Sequence, residues 1–170
     1  MGQAQPKRPT ALIVEDDAEL RSLTAALLEE EQLDTIECET AEAALAVLLI
    51  GGQEIAMLFA DVRLPGAMDG IDLAWEVKLR WPLLPMVLTS GHPREHERVR
   101  ELPPGVAFLP KPWQPFNVLV VAEEALAYAQ ATGAEGVSVN GRCISQGSTR
   151  RSSLLANPSR SHIRAEELLG

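Results

Sequence analysis

Apolar residues follow two rhythms along this chain. Short unbroken runs recur in "TALIVEDD", "IAMLFAD", "PMVLTS" and "VAFLPKP". They are too short for helices and have no polar face, as expected of strands buried on both sides. A weaker run, "TIEC" near residues 35–38, reads as a further strand. Between the runs the spacing becomes helical, with Leu20, Leu23, Leu27 and Leu28 in "ELRSLTAALLEEE" and similar patterns in "AEAALAVLLI" and "GIDLAWEVKLR". "HPREHERVREL" predicts a weaker, highly charged helix, and "PFNVLVVAEEALAYA" a long final one. Asp17 and Thr40 stand where helix caps are wanted, Gly51-Gly52 stops one helix, and Trp81-Pro82 ends another.

Five strand-helix units in about 120 residues predict an α/β fold, a doubly wound five-stranded parallel sheet with helices on each side. Residues 1–9 read as a flexible leader and 10–130 as one domain. The stretch 131–170 is low in large apolar residues and rich in Gly, Ser, Arg and Asn, a composition that predicts a disordered tail. Within it, "VSVNGRCIS" alternates as a hairpin would and "AEELL" could form one helical turn.

Charge sharpens this division. Up to residue 130 there are 10 Lys and Arg against 21 Asp and Glu; beyond it there are 5 against 3. An acidic domain argues against general nucleic-acid binding, which needs basic surface. No stretch approaches the ~20 apolar residues of a membrane span, and no apolar signal core precedes the domain, so a cytoplasmic location is expected. Cys38 and Cys143 are isolated thiols, with neither zinc-site spacing nor a disulfide framework.

The chemistry lies where the strands stop. In a doubly wound sheet of order 2-1-3-4-5, ligands bind beyond the carboxyl ends of the strands, and strands one and three are neighbours. Glu15 and Asp16 follow the first run, Asp61 closes the third, Thr89 and Ser90 close the fourth, and Lys111 follows the fifth. Converging carboxylates repel one another unless a cation joins them, and a few hard oxygen ligands open to water suit magnesium. Metal, nucleophilic carboxylate, hydroxyl and fixed ammonium are the parts that phosphoryl transfer requires. Singly, each has a plainer reading: an acid as a cap, Lys111 as a solvated surface residue, Thr89 or Ser90 as a loop hydroxyl, Pro65 and Gly70 as turn residues. The ordered set argues for a site.

"LIVEDD", "DVRLPGAMDG", "TSG" and "FLPKPW" together resemble the receiver domains of two-component response regulators, also called CheY-like, over roughly residues 10–130. The resemblance implies a flavodoxin-like sheet and a stand-alone receiver in a phosphorelay. It implies Asp61 as phosphoacceptor and Mg2+ held by Asp16, Asp61, the backbone carbonyl of Arg63 and, through water, Glu15. It also implies that Lys111 contacts the phosphoryl group, that Ser90 is the switch hydroxyl with Thr89 as its substitute, and that Lys111-Pro112 is cis. Phe108 resembles the family's switch aromatic, although plain core packing would also account for it. The loop "PGAMDG" is one residue longer than the family's commonest form.

The implied partners are a histidine kinase or histidine phosphotransfer protein and a downstream protein target, with neither nucleic acid nor membrane. On this reading the chain is a signalling receiver rather than an enzyme, beyond self-catalysed phosphorylation and dephosphorylation. Two rivals remain open. An aspartate-based phosphohydrolase would want an acid two residues after its nucleophile, where this chain has Arg63. A binding module that had lost phosphorylation would lack an acid or the lysine, and both are present.

Overall fold

Leu12 and Ile13 are adjacent and fully buried, yet they belong to different cores. Successive side chains of a strand point to opposite faces, so a strand covered on both faces needs apolar residues at every position. In the computed structural model, which describes residues 7–92 and 97–133, this arrangement is repeated in the other inner strands, whereas the two edge strands are only partly buried. Strands β1 (Thr10–Val14), β2 (Asp34–Cys38), β3 (Ile55–Asp61), β4 (Met86–Ser90) and β5 (Ala107–Pro110) are all parallel, in the order β2-β1-β3-β4-β5. This is the flavodoxin-like order that the sequence predicts.

One layer packs Leu12, Val14, Leu58, Ala60 and Leu88 against helices α2 (Ala41–Gly51) and α3 (Gly70–Arg80). The other packs Ala11, Ile13, Met57, Phe59, Val87 and Leu109 against α1 (Ala18–Glu30) and α4 (Pro115–Gly133). Helix α4 meets the sheet through Val118, Ala122 and Ala125, one stripe at helical spacing. Each fully buried Leu, Ile or Phe contributes roughly 1.5–3 kcal/mol by leaving water, so the two layers supply the main stabilisation.

Local chemistry sets the boundaries. Asp17 caps α1 by accepting from the amides of Glu19 and Leu20, and the Thr40 hydroxyl accepts from Ala43, as expected of both. Helix α1 closes with Gln32 in the left-handed region (φ 64°), while the Leu33 amide donates back to the Leu28 carbonyl and buries both leucines in one core. Helix α2 does end at Gly51, but Gly52 is right-handed (φ −59°), so it is not required for a left-handed turn. Close packing requires it instead: a Cβ there would lie 2.6 Å from Nε1 of Trp81.

Two expectations need correction or limits. Of the helix expected over "HPREHERVREL", residues 93–96 lie outside the described ones, and the described end is a short 3-10 turn, Arg98–Glu101. High charge with little apolar periodicity explains the weak local preference. The flexible leader is described only from Lys7, where the Pro9 carbonyl accepts from the Asp34 amide and extends the β1–β2 pairing. Residues 1–6 and the tail beyond 133, with its expected hairpin and helical turn, lie outside the described residues. Among the described residues no helix is long and apolar enough to cross a membrane.

Candidate functional site

The parallel sheet brings three strand ends together. Glu15 follows β1, Asp61 closes β3, and Lys111 follows β5, with Thr89 of β4 paired in register to Asp61. The Lys111 ammonium bridges the acids, with Nζ 2.6 Å from Oδ2 of Asp61 and 2.8 Å from Oε2 of Glu15. All three side chains are largely buried, at 16% exposure for Lys111, 10% for Asp61 and 5% for Glu15. One ammonium thus faces two carboxylates where water screens poorly, and a net negative charge remains. Asp16 lies beside them and is exposed, and a carboxylate oxygen from each of Glu15, Asp16 and Asp61 falls within 4.8 Å of the others.

The electrostatics follow from this packing. Burial pushes the Glu15 carboxyl above its ordinary value, the Lys111 hydrogen bond opposes that, and the Asp61 charge adds to it. For Lys111, burial acts to lower the pKa, but the hydrogen bonds to Asp61 and Glu15 outweigh it and hold the ammonium above its ordinary value. A fixed positive charge beside a carboxylate, with an exposed second acid, can accept an incoming anion and a cation together.

The loops that carry the acids are anchored by groups the sequence pattern did not reveal. The Arg21 guanidinium, on α1, donates to the Glu15 carbonyl at 2.7 Å and pairs with Glu37 and Glu39 of the neighbouring β2 edge. After β3, the Arg63 amide donates to Oδ1 of Asp61 at 3.2 Å. Leu64 is buried in the core, and the Gly70 amide returns to the Val62 carbonyl. Gly70 is more than turn punctuation, because a Cβ there would collide with the Asp61 carbonyl oxygen. Asp69 caps α3 in a reciprocal box with Asp72 and also pairs with Arg98 at 2.8 Å.

The two hydroxyls occupy different settings. Thr89 is fully buried, and its Oγ1 accepts from Nε1 of Trp113 at 3.1 Å, with that indole edge-on to Phe59. Ser90 is also fully buried, its Oγ accepts from the His92 amide at 3.2 Å, and its carbonyl accepts from the Lys111 amide. The Lys111-Pro112 peptide is cis, as the resemblance implies. Phe108 is half-buried on β5 against the α2–α3 layer. Thus Glu15, Asp16, Asp61 and Lys111 converge, whereas the Thr89 hydroxyl is engaged by Trp113.

Residues 11–123 match the family described as the response regulator receiver domain. The nitrogen assimilation regulatory protein NtrX of Azorhizobium caulinodans is 32% identical over 117 residues, covering 68% of this chain and 25% of that protein. The DNA-binding transcriptional regulator NtrC of Salmonella typhimurium is 28% identical over 137 residues, covering 79% of this chain and 29% of that protein. The crystal structure of the receiver domain of NtrX from Brucella abortus has a TM-score of 0.62 at 33% identity, covering 69% of this chain and 98% of that one. The chain thus spans about a quarter of the length of these two curated relatives.

Proposed function

This chain belongs to the response regulator receiver family, and from that premise we propose that Asp61 accepts a phosphoryl group from a histidine kinase or histidine phosphotransfer protein. The observation that carries the reading is the buried Asp61–Lys111–Glu15 bridge with the exposed Asp16 beside it. An Asp61 carboxylate oxygen attacks phosphorus; a P–O bond forms, the P–N bond of a donor phosphohistidine protonated on its other ring nitrogen breaks, and neutral imidazole leaves with the electron pair. Lys111, held charged by its acids, neutralises the developing oxygen charge.

The donor set fits a hard divalent ion: carboxylate oxygens close enough to share one, one of them open to water. Asp16, Asp61 and the Arg63 carbonyl would hold Mg2+, with Glu15 acting through water. When bound, the ion would offset the repulsion among the acids and the incoming phosphoryl oxygens.

Of the two hydroxyls, Ser90 is the better switch, since Thr89 is committed to Trp113 inside the opposite core layer. Movement of Ser90 toward the phosphoryl group, with Phe108 following on β5, would reshape the β4–β5 side for a downstream protein partner. A cytoplasmic location fits this role. The acidic balance of residues 1–130 argues against DNA as a partner of the domain. The DNA-binding named for NtrC belongs to a protein of which this chain covers only 29%.

The test is labelling with radioactive acetyl phosphate and Mg2+. Wild type should take up label and Asp61→Asn should fall to background; label at the wild-type level in Asp61→Asn rejects the assignment.

A further inference from the structure

Glu42 is the second residue of α2 and is solvent-exposed, a position where an acid needs no explanation beyond the helix dipole. Its side chain nevertheless reaches across to the loop after β3. One oxygen, Oε1, accepts from two consecutive amides, Ala67 at 2.8 Å and Met68 at 3.1 Å. The preceding residue, Gly66, is left-handed (φ +112°), and a Cβ there would lie 2.7 Å from both carboxylate oxygens. Successive N–H groups following such a residue form a concave anion-binding nest, which this carboxylate fills.

The loop is pinned on either side, by buried Leu64 before the nest and by Asp69 at the start of α3 after it. Pro65, Gly66 and Ala67 between them are exposed. Glu42 therefore holds the exposed end of the nest at Ala67, while Met68 is half-buried against the core. Its own amide and then that of Ala67 hold the carboxyl below its ordinary value against the opposing effect of desolvation, with the Met68 amide adding the least.

We propose that Glu42 is a positioning residue for the Asp61 site: by clamping the Ala67–Met68 nest it fixes the loop that begins at Asp61 and carries the Arg63 carbonyl, and so presets the metal-binding geometry. This rests on the phosphoacceptor reading only for its purpose; the clamp itself is a property of the metal-free chain.

The test uses the full chain. In wild type without metal, the Ala67 and Met68 amides should exchange slowly with deuterium. In Glu42→Ala they should exchange at least about tenfold faster, because the acceptor is gone. By calorimetry the Mg2+ dissociation constant should rise about tenfold in Glu42→Ala, as expected for removal of an outer support. Glu42→Gln, which keeps an acceptor oxygen but loses the charge, should recover about two-thirds of that loss on a logarithmic scale.

Gly66→Ala should weaken Mg2+ binding similarly by displacing the carboxylate, and the double variant should be no worse than either single one. The thermal midpoint of Glu42→Ala should stay within about 2 °C of wild type, which separates positioning from general destabilisation. Unchanged amide exchange with Mg2+ affinity within twofold of wild type would overturn the proposal, as would additive losses in the double variant. Because amide exchange needs neither metal nor phosphoryl donor, an unlabelled wild type would count against the phosphoacceptor reading alone.

Discussion

At the carboxyl end of the sheet the strands run into Glu15, Asp61 and Lys111, joined by hydrogen bonds, and into buried Ser90, whose hydroxyl accepts from the His92 amide. At the amino end, the turns before β3 and β4 close on carbon: Gly52 lies under the Trp81 indole, with Ile55 and Leu84 buried beside it. The strand interiors are alike at both ends; the difference begins where the ladder stops. A polar group left over at a strand end must find a charged or hydrogen-bonding partner, whereas an apolar end needs only volume. Reactivity therefore concentrates at one end and packing precision at the other.

The largest effect that sharpens this contrast comes from Lys111→Met. It should cut the labelling rate by about 100-fold, as when a preorganised donor to a developing oxyanion is removed. It should also cost about 3 kcal/mol in denaturant unfolding, because Glu15 and Asp61 would be left buried without their cation. Added Mg2+ should restore part of that stability; if Mg2+ affinity instead collapsed, the ammonium would not be a competitor for the acids.

Next comes the opposite end. Gly52→Ala must push the indole of Trp81 and should cost about 1–3 kcal/mol by overpacking. Its labelling rate should remain within about twofold of wild type, since packing strain there touches no site group. A large loss of labelling would break the comparison and couple the two ends.

The smallest effect is in acid. Burial works to raise the pKa of Asp69, but hydrogen bonds from the Asp72 amide and Arg98 bring the carboxyl below its ordinary 3.8. A depressed folded-state pKa stabilises above the unfolded value and loses that stabilisation as pH falls through the folded one. Arg98→Ala should thus lower stability at neutral pH by about 0.5 kcal/mol, the pair being partly exposed and screened by water. The deficit should vanish below pH 3.8, where acid unfolding of the two proteins converges. A constant deficit across that range would assign Arg98 a packing role instead.

The sheet was legible because burial on both faces writes unbroken apolar runs, and the site because its acids, hydroxyl and lysine terminate those runs in order. The clamps were not. Arg21, Glu42 and Arg98 are ordinary surface types, and their carboxylate or amide partners Glu37 and Glu39, Ala67, and Asp69 lie in other elements, so only the topology brings them together. Gly52 was legible as a helix end but not as a seat for Trp81, because a contact 29 residues away leaves no local mark. The resemblance favours Ser90 over Thr89 as the switch hydroxyl, but nothing in the sequence marks the Trp113 indole as the partner of Thr89.

The tryptophans add a practical consequence. Trp113 donates to Thr89 beside the acids, Trp75 donates to the Glu101 carbonyl in the β4–β5 connection, and Trp81 covers Gly52. Each can serve as a native optical reporter for its own district. Variants retaining one indole, with the other two replaced by phenylalanine, would let emission follow the reacting end, the responding flank and the quiet end separately, without an attached dye.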